Sequence, residues 1–150
     1  MVSLGGESYT VLIVDDDPDL LQLLTDGLEL LGEFTVIQAE DGVQGLELFF
    51  DTHPDCVIID VVMPRLDGYQ LVRALRGDPE SASTPLIMLT ALAQDKNRFV
   101  GLAFGADQYL VKPVTPRELV NAVHRAVTVG GAERQERMQR LVEQSEEGIP

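Results

Sequence analysis

Short runs of aliphatic and β-branched residues alternate along this chain with segments whose apolar positions recur every three to four residues. Runs of the first kind read as buried parallel strands and segments of the second as amphipathic helices, so the pattern predicts a βα repeat. Tyr9 to Val14 is the first predicted strand. Asp17 then caps a helix with Pro18 in its first turn, Leu20, Leu21, Leu24, Leu28 and Leu31 on the buried side, and Gly32 as the stop. Strand two runs from Phe34 to Ala39 and helix two from Gln44 to Phe50, and His53-Pro54 breaks the chain before a third strand, Cys56 to Ile59. Leu66-Asp67-Gly68 opens a third helix carrying Leu71, Val72 and Leu75. Thr84-Pro85 introduces strand four, Leu86 to Leu89, followed by a fourth helix over Asp95 to Phe104 that ends at Gly105. Gln108 to Val111 is the fifth strand, and Pro116 starts a fifth helix with Leu119, Val120, Val123 and Val127 at helical spacing. Five βα units in about 120 residues are the size of one doubly wound α/β domain.

Gly130-Gly131 ends the repeat, and Ala132 to Glu147 is polar, with only Met138, Leu141 and Val142 apolar. The chain therefore divides into a domain at 8–129 and a C-terminal polar helical extension or connector at 130–150. One apolar cluster is too little for a coiled coil, which wants at least three heptads.

Charge narrows the function. A net charge of −14 repels nucleic-acid phosphates and anionic lipid, so neither direct nucleic-acid binding nor membrane binding is expected. No apolar run approaches the roughly 20 residues of a membrane span, the N-terminus lacks a basic signal region, and the single cysteine, Cys56, sits in an apolar run. These features suit a cytoplasmic protein with a buried, unreactive thiol.

The acidic residues are not scattered. Asp15-Asp16-Asp17 closes the first strand and Asp60 closes the third, and adjacent parallel strands bring Asp60 close to Asp15 and Asp16. Two carboxylates about 4 Å apart repel by roughly 4 kcal/mol at an effective dielectric near 20, so the cluster asks for protons or a cation. Asp16 and Asp60 supply hard oxygen ligands of the kind magnesium takes alongside water and phosphate oxygens. Thr90 at the end of strand four can donate its hydroxyl to a phosphate oxygen, Lys112 at the end of strand five can supply a positive charge, and Asp60 can attack phosphorus as a carboxylate nucleophile. Phosphoryl transfer needs alignment and charge neutralisation above all, so this is sufficient apparatus.

Four ordered motifs then resemble the receiver domain of bacterial two-component response regulators, the CheY-like family: Val14-Asp15-Asp16, Asp60-Val61-Val62-Met63-Pro64 with Asp67-Gly68, Leu89-Thr90-Ala91, and Gly105-Ala106-Asp107 leading through Tyr109 to Lys112-Pro113. The resemblance covers about residues 8 to 129. It implies a flavodoxin-like five-stranded parallel sheet in the order 2-1-3-4-5 with five helices. It also implies that Asp60 takes a phosphoryl group from a histidine kinase or histidine phosphotransfer protein, with Mg2+ or Mn2+ held by Asp16, Asp60 and the backbone carbonyl of Val62, and by Asp15 through water. Thr90 and Lys112 would assist, and Thr90 and Tyr109 would act as the switch pair, altering a face of the fourth helix, fifth strand and fifth helix. That face would serve a downstream effector, a fused output domain or a homodimer. Such a protein is a regulatory phosphoacceptor rather than an enzyme in its own right; the alternative is a pseudo-receiver acting as a constitutive protein-binding module.

Other classes fit less well. An aspartyl phosphatase wants Asp-x-Asp-x-Thr/Val on the first strand, which Asp15-Asp16-Asp17-Pro18-Asp19 does not provide, and a flavodoxin wants a hydroxyl- and glycine-rich phosphate loop where this chain is acidic. His53 reads as a loop residue, His124 as a helix-surface residue, and Met63-Pro64 as a turn orienting Asp60. Val62 and Leu92, two residues beyond Asp60 and Thr90, are apolar where a polar side chain would orient an attacking water, which predicts slow hydrolysis of an aspartyl phosphate.

Overall fold

The computed structural model of the protein describes residues 8–63, 65–91 and 105–130. Five strands, β1 (Thr10–Val14), β2 (Thr35–Ala39), β3 (Cys56–Asp60), β4 (Leu86–Thr90) and β5 (Gln108–Val111), form one parallel sheet in the order β2-β1-β3-β4-β5. Helices α1 (Pro18–Gly32), α2 (Gly42–Thr52), α3 (Gly68–Gly77) and a C-terminal helix (Pro116–Arg125) cover its faces, and a π-helical turn, Ala126–Gly130, prolongs the last of them. The expected helix over 95–104, Leu92, Pro64 and most of the 130–150 extension lie outside the described residues.

Strand alternation divides the core in two. Val11 and Ile13 of β1 and Ile58 of β3 pack under α1 and the C-terminal helix. Leu12, Val14, Val57 and Ile59 point to the other side, under α2 and α3. Both faces being covered, β3 and β4 are buried at every position, as central parallel strands must be. β2 lies at the sheet edge and is partly exposed.

Helix starts follow their caps. Asp17 accepts hydrogen bonds from the amides of Asp19 and Leu20, and Asp67 forms a capping box with Gln70. Asp41, unread in the sequence as a cap, starts α2 at Gly42, ahead of the expected Gln44.

Two expectations for α1 need correction. Leu31 is 45% exposed rather than buried, although it shares the face of Leu24 and Leu28; it stands in the last turn of α1, one residue before the helix ends at Gly32. Gly32 is not the left-handed stop: Glu33 takes that conformation, at φ 57°. Gly32 is needed instead for close packing, since a Cβ there would stand 2.5 Å from the Phe34 ring. Phe34 precedes β2 rather than opening it and is buried against the α1 side of the core.

Candidate functional site

Strand register sets the site. Val14 pairs with Ile59, so Asp15 and Asp60, the next residues of β1 and β3, emerge side by side at the C-terminal edge of the sheet. Asp60 pairs with Leu89 and Thr90 with Val111, which brings Thr90 and Lys112 to the same edge. The ladder continues past the strands through Val61 N–H to the Leu89 carbonyl at 2.9 Å and Lys112 N–H to the Thr90 carbonyl at 2.6 Å.

Asp15, Asp16 and Asp60 each offer a carboxylate oxygen within 4.8 Å of the other two. Asp15 and Asp60 are buried and Asp16 faces solvent. Lys112 reaches into the cluster, its Nζ donating to Asp60 Oδ1 at 3.0 Å and lying 3.5 Å from Asp15 Oδ2. Asp15 Oδ1 accepts the Asp17 amide at 2.9 Å, but Asp15 Oδ2 is buried and gains no hydrogen bond among the described residues.

Burial is the largest influence on both buried carboxylates. It pushes Asp15 and Asp60 above the ordinary carboxylate range, against the pull of Lys112, and Asp15 adds repulsion at Asp60. Lys112 moves up: burial works to lower it, but the hydrogen bond to Asp60 and the charges of Asp15 and Asp60 outweigh that. One lysine thus leaves three carboxylates under-compensated. The donor set of hard oxygens, with Asp15 Oδ2 buried and given no hydrogen bond among the described residues, fits a divalent cation.

The loop after β3 is held tightly under α3. Gly68 N–H donates to the Val61 carbonyl at 3.0 Å, and a Cβ on Gly68 would lie 2.4 Å from the Asp60 carbonyl oxygen. The Asp67-Gly68 pair is therefore both helix cap and close contact, which keeps the end of β3 fixed. Val62 follows Asp60 by two residues and is 73% exposed.

Thr90 is buried at the strand end, as expected. Tyr109 lies deeper in β5, opposite Met88, with its ring buried and its hydroxyl 3.2 Å from that of Tyr69 in α3. Tyr69 went unread because a lone tyrosine near a helix start has no periodic signal.

Arg76 was missed too. Its guanidinium, largely out of water, donates to the carbonyls of Gly105, Ala82, Thr84 and Ser81 at 2.9, 3.1, 2.6 and 3.4 Å and pairs with Asp107 at 3.2 Å. Asp107 in turn accepts the Leu86 amide at 2.7 Å. Burial lowers the Arg76 pKa to about 10, still fully charged at neutral pH. The cluster ties the end of α3 to the starts of β4 and β5, and so sets the level at which Thr90 and Lys112 emerge. Beside Lys112 a cleft of about 430 Å³ opens between Leu20, Leu23 and Leu24 of α1 and Leu89, Pro113 and Val114.

His53 ends α2 in the left-handed conformation and His124 stacks its ring 4.9 Å from Phe34, so neither faces the acidic cluster. Cys56 is buried in the core. No described helix is long and apolar enough to cross a membrane.

Comparison with known proteins agrees with this geometry. Residues 11–124 match the family described as the response regulator receiver domain. The chain is 46% identical over 109 residues to "Probable transcriptional regulator ycf27" of Guillardia theta, covering 73% of this chain and 41% of that protein. It is 39% identical over 113 residues to the DNA-binding dual master transcriptional regulator RpaA of a Synechocystis strain, covering 75% of this chain and 46% of that one. The chain thus spans less than half the length of these relatives. Among solved structures, chemotaxis response regulator CheY4 of Vibrio cholerae superposes with a TM-score of 0.75 at 32% identity, covering 80% of this chain and 99% of that one.

Proposed function

This chain belongs to the response regulator receiver domain family, and from that premise we propose that Asp60 is its phosphoacceptor, served by a divalent cation and Lys112. A receiver is a phosphoacceptor by its family; the assignment to Asp60 rests on one observation above the rest. That observation is the convergence of Asp15, Asp16 and Asp60 within 4.8 Å with Lys112 Nζ 3.0 Å from Asp60.

The chemistry follows from the groups present. An ionised Asp60 oxygen attacks phosphorus, the bond from phosphorus to the donor's imidazole nitrogen breaks, and its electron pair stays on that nitrogen. Asp16, Asp60 and the Val62 carbonyl would hold Mg2+ or Mn2+ directly and Asp15 through water. Bound there, the cation neutralises charge on the phosphoryl oxygens. Lys112 keeps its ammonium directed at Asp60, where it meets the developing negative charge. The donor is a histidine kinase or a histidine phosphotransfer protein.

Thr90 and Tyr109 are the proposed switch. New acceptor oxygens on Asp60 draw the Thr90 hydroxyl, and the buried Tyr109 ring, hydrogen-bonded through Tyr69, marks the inward position that this movement favours. The listener is an output domain or effector protein; the relatives named as transcriptional regulators support an output on DNA carried outside residues 8–129. The expected dimer face includes the helix over 95–104, outside the described residues. A pseudo-receiver would have no use for this complete set of acid, base and hydroxyl groups, so the binding-only reading is disfavoured.

Reduction of the phosphorylated protein with sodium borohydride, which converts an acyl phosphate to an alcohol, tests the assignment. Peptide mapping should place homoserine at position 60. Homoserine at 15 or 16 instead would overturn it.

A further inference from the structure

Helix α3 reaches β5 through Arg76 and through Tyr69. These residues stand one heptad apart, on one face of the helix. Asp107, just before β5, and Tyr109 within it are two residues apart and share one side of the strand. Arg76 near the end of α3 meets Asp107 at 3.2 Å, and the Tyr69 hydroxyl at the start of α3 lies 3.2 Å from that of Tyr109. Helix and strand run in opposite directions, so the two contacts clasp β5 along its length.

Tyr69 is itself held firmly. Asp67 and Gln70 form the capping box that fixes the first turn of α3, and Gly68 N–H donates to the Val61 carbonyl at 3.0 Å. The missing Cβ of Gly68 leaves room for the Asp60 carbonyl oxygen, which would stand 2.4 Å from it. These are contacts of backbone groups and of the Asp67 and Gln70 side chains, so they hold whatever the Asp60 carboxylate carries. Register supplies the rest. Tyr109 pairs with Met88, and its ring packs with Met88 on the α3 side of the sheet at 7% exposure. Thr90, two residues beyond Met88, shares that side. Tyr69 and Thr90 therefore both stand on the side where the Tyr109 ring is buried, one on α3 and the other on β4.

We propose that Tyr69 is a positioning residue for the switch: its hydroxyl holds the Tyr109 ring inward whether or not Asp60 carries a phosphoryl group. The proposal rests on the reading of Thr90 and Tyr109 as the switch pair. On that reading the chain is set close to its active arrangement in advance, and phosphorylation adds a second hold on a ring already in place. An outward ring would put its hydroxyl in water, and the contact with Tyr69 helps offset the hydration that the inward hydroxyl gives up. One neutral hydrogen bond of this kind changes the ratio of inward to outward ring by about threefold to tenfold. That is enough to set the resting state where the two positions are otherwise nearly balanced.

The χ1 rotamer of Tyr109 in the whole chain tests this. It is read by NMR from the three-bond couplings of its Cγ to its own amide nitrogen and carbonyl carbon. In the unphosphorylated wild type the couplings should report one dominant rotamer, and acetyl phosphate with Mg2+ should leave them nearly unchanged. Tyr69→Phe keeps the ring and its packing and deletes only the hydroxyl, so a purely space-filling role would leave the couplings alone. The expected result is instead a fall of about threefold to tenfold in the ratio of inward to outward ring. Phosphorylation of that variant, verified by intact mass, should return the couplings to their wild-type values, because the phosphoryl group then supplies the hold through Thr90. Equal couplings in wild type and Tyr69→Phe before phosphorylation would overturn the proposal, as would an unphosphorylated wild type already averaging between rotamers. A ring loosened by Tyr69→Phe that verified phosphorylation fails to reset would show a different failure: the reading of Thr90 and Tyr109 as a switch would fall, and the proposal with it.

Discussion

Replacing Asp60 by asparagine should make the protein more stable while removing its phosphoacceptor. At an effective dielectric near 20, the attraction lost between Asp60 and Lys112 at 3.0 Å is about 5.5 kcal/mol. Repulsion relieved against Asp15 and Asp16, taken at 4.8 Å, is about 3.5 kcal/mol each, and solvent screening removes much of the share of exposed Asp16. The charge contributions come close to cancelling, so burial of the carboxylate decides the sign. Burial is also the largest reason why Asp60 is raised above its ordinary range. An asparagine Oδ1 still accepts from Lys112 and carries no charge to desolvate, so a gain on the order of 1–3 kcal/mol is expected near neutral pH. For a chain of this size that is a rise in Tm of about 3–8 °C. The pH dependence follows from the direction of the shift. A carboxylate raised by folding is most compatible with the fold when protonated, so the wild-type penalty is absent below the ordinary aspartate pKa of 3.8. It builds as pH rises from there toward the folded-state value and is complete above that value. Scanning calorimetry of both proteins without divalent cation, near pH 7.5 and again near pH 3.5, reads the difference directly. Saturating Mg2+ should narrow the gap at the higher pH by stabilising the wild type, by about 2.7 kcal/mol at a hundredfold excess over Kd. An asparagine variant less stable than wild type near pH 7.5 would refute the reasoning, since it would mean that Lys112 over-compensates the cluster.

Three further outcomes follow from single contacts. Arg76→Met removes the ion-pair partner of half-buried Asp107 and leaves four carbonyls without their donor, so urea unfolding should show a loss of about 3–5 kcal/mol; a cost within the range of a surface substitution would contradict the bracing role. Tyr69→Phe deletes the hydroxyl that meets Tyr109 and should cost about 0.5–1.5 kcal/mol while shifting the Tyr109 ring resonances; an unchanged ring environment would remove Tyr69 from the switch. Val62→Asn with Leu92→Gln puts polar side chains two residues beyond Asp60 and Thr90, and phosphate release from the phosphorylated protein should accelerate severalfold; an unaltered lifetime would show that these two positions do not govern hydrolysis.

Much of the site was legible because its residues sit at strand ends, where apolar runs stop abruptly on a charged or hydroxylic residue. Asp15, Asp16, Asp60, Thr90 and Lys112 all announce themselves that way, and parallel pairing in the observed order brings them to one edge. Arg76 and Tyr69 left no such trace, because their distant partners, Gly105 and Asp107 for Arg76 and Tyr109 for Tyr69, are brought to them only by the packed fold. Helix ends were misread for a related reason. Gly32 looks like a stop by composition, yet the neighbouring Phe34 ring claims its missing Cβ and Glu33 takes the left-handed turn. Leu31 has the angular position of buried Leu24, yet it stands in the last turn of α1 and is 45% exposed, which periodicity alone does not reveal.

The central claim is that the acidic cluster makes Asp60 a cation-dependent phosphoacceptor. Intact-mass spectrometry after incubation with acetyl phosphate, with Mg2+ and with chelator, tests it most directly when wild type and Asp60→Asn are run side by side. The account predicts one added phosphoryl group in the wild type only, and only with the metal. A gain of the same mass in Asp60→Asn, or no gain in a folded wild type with Mg2+ present, would contradict it.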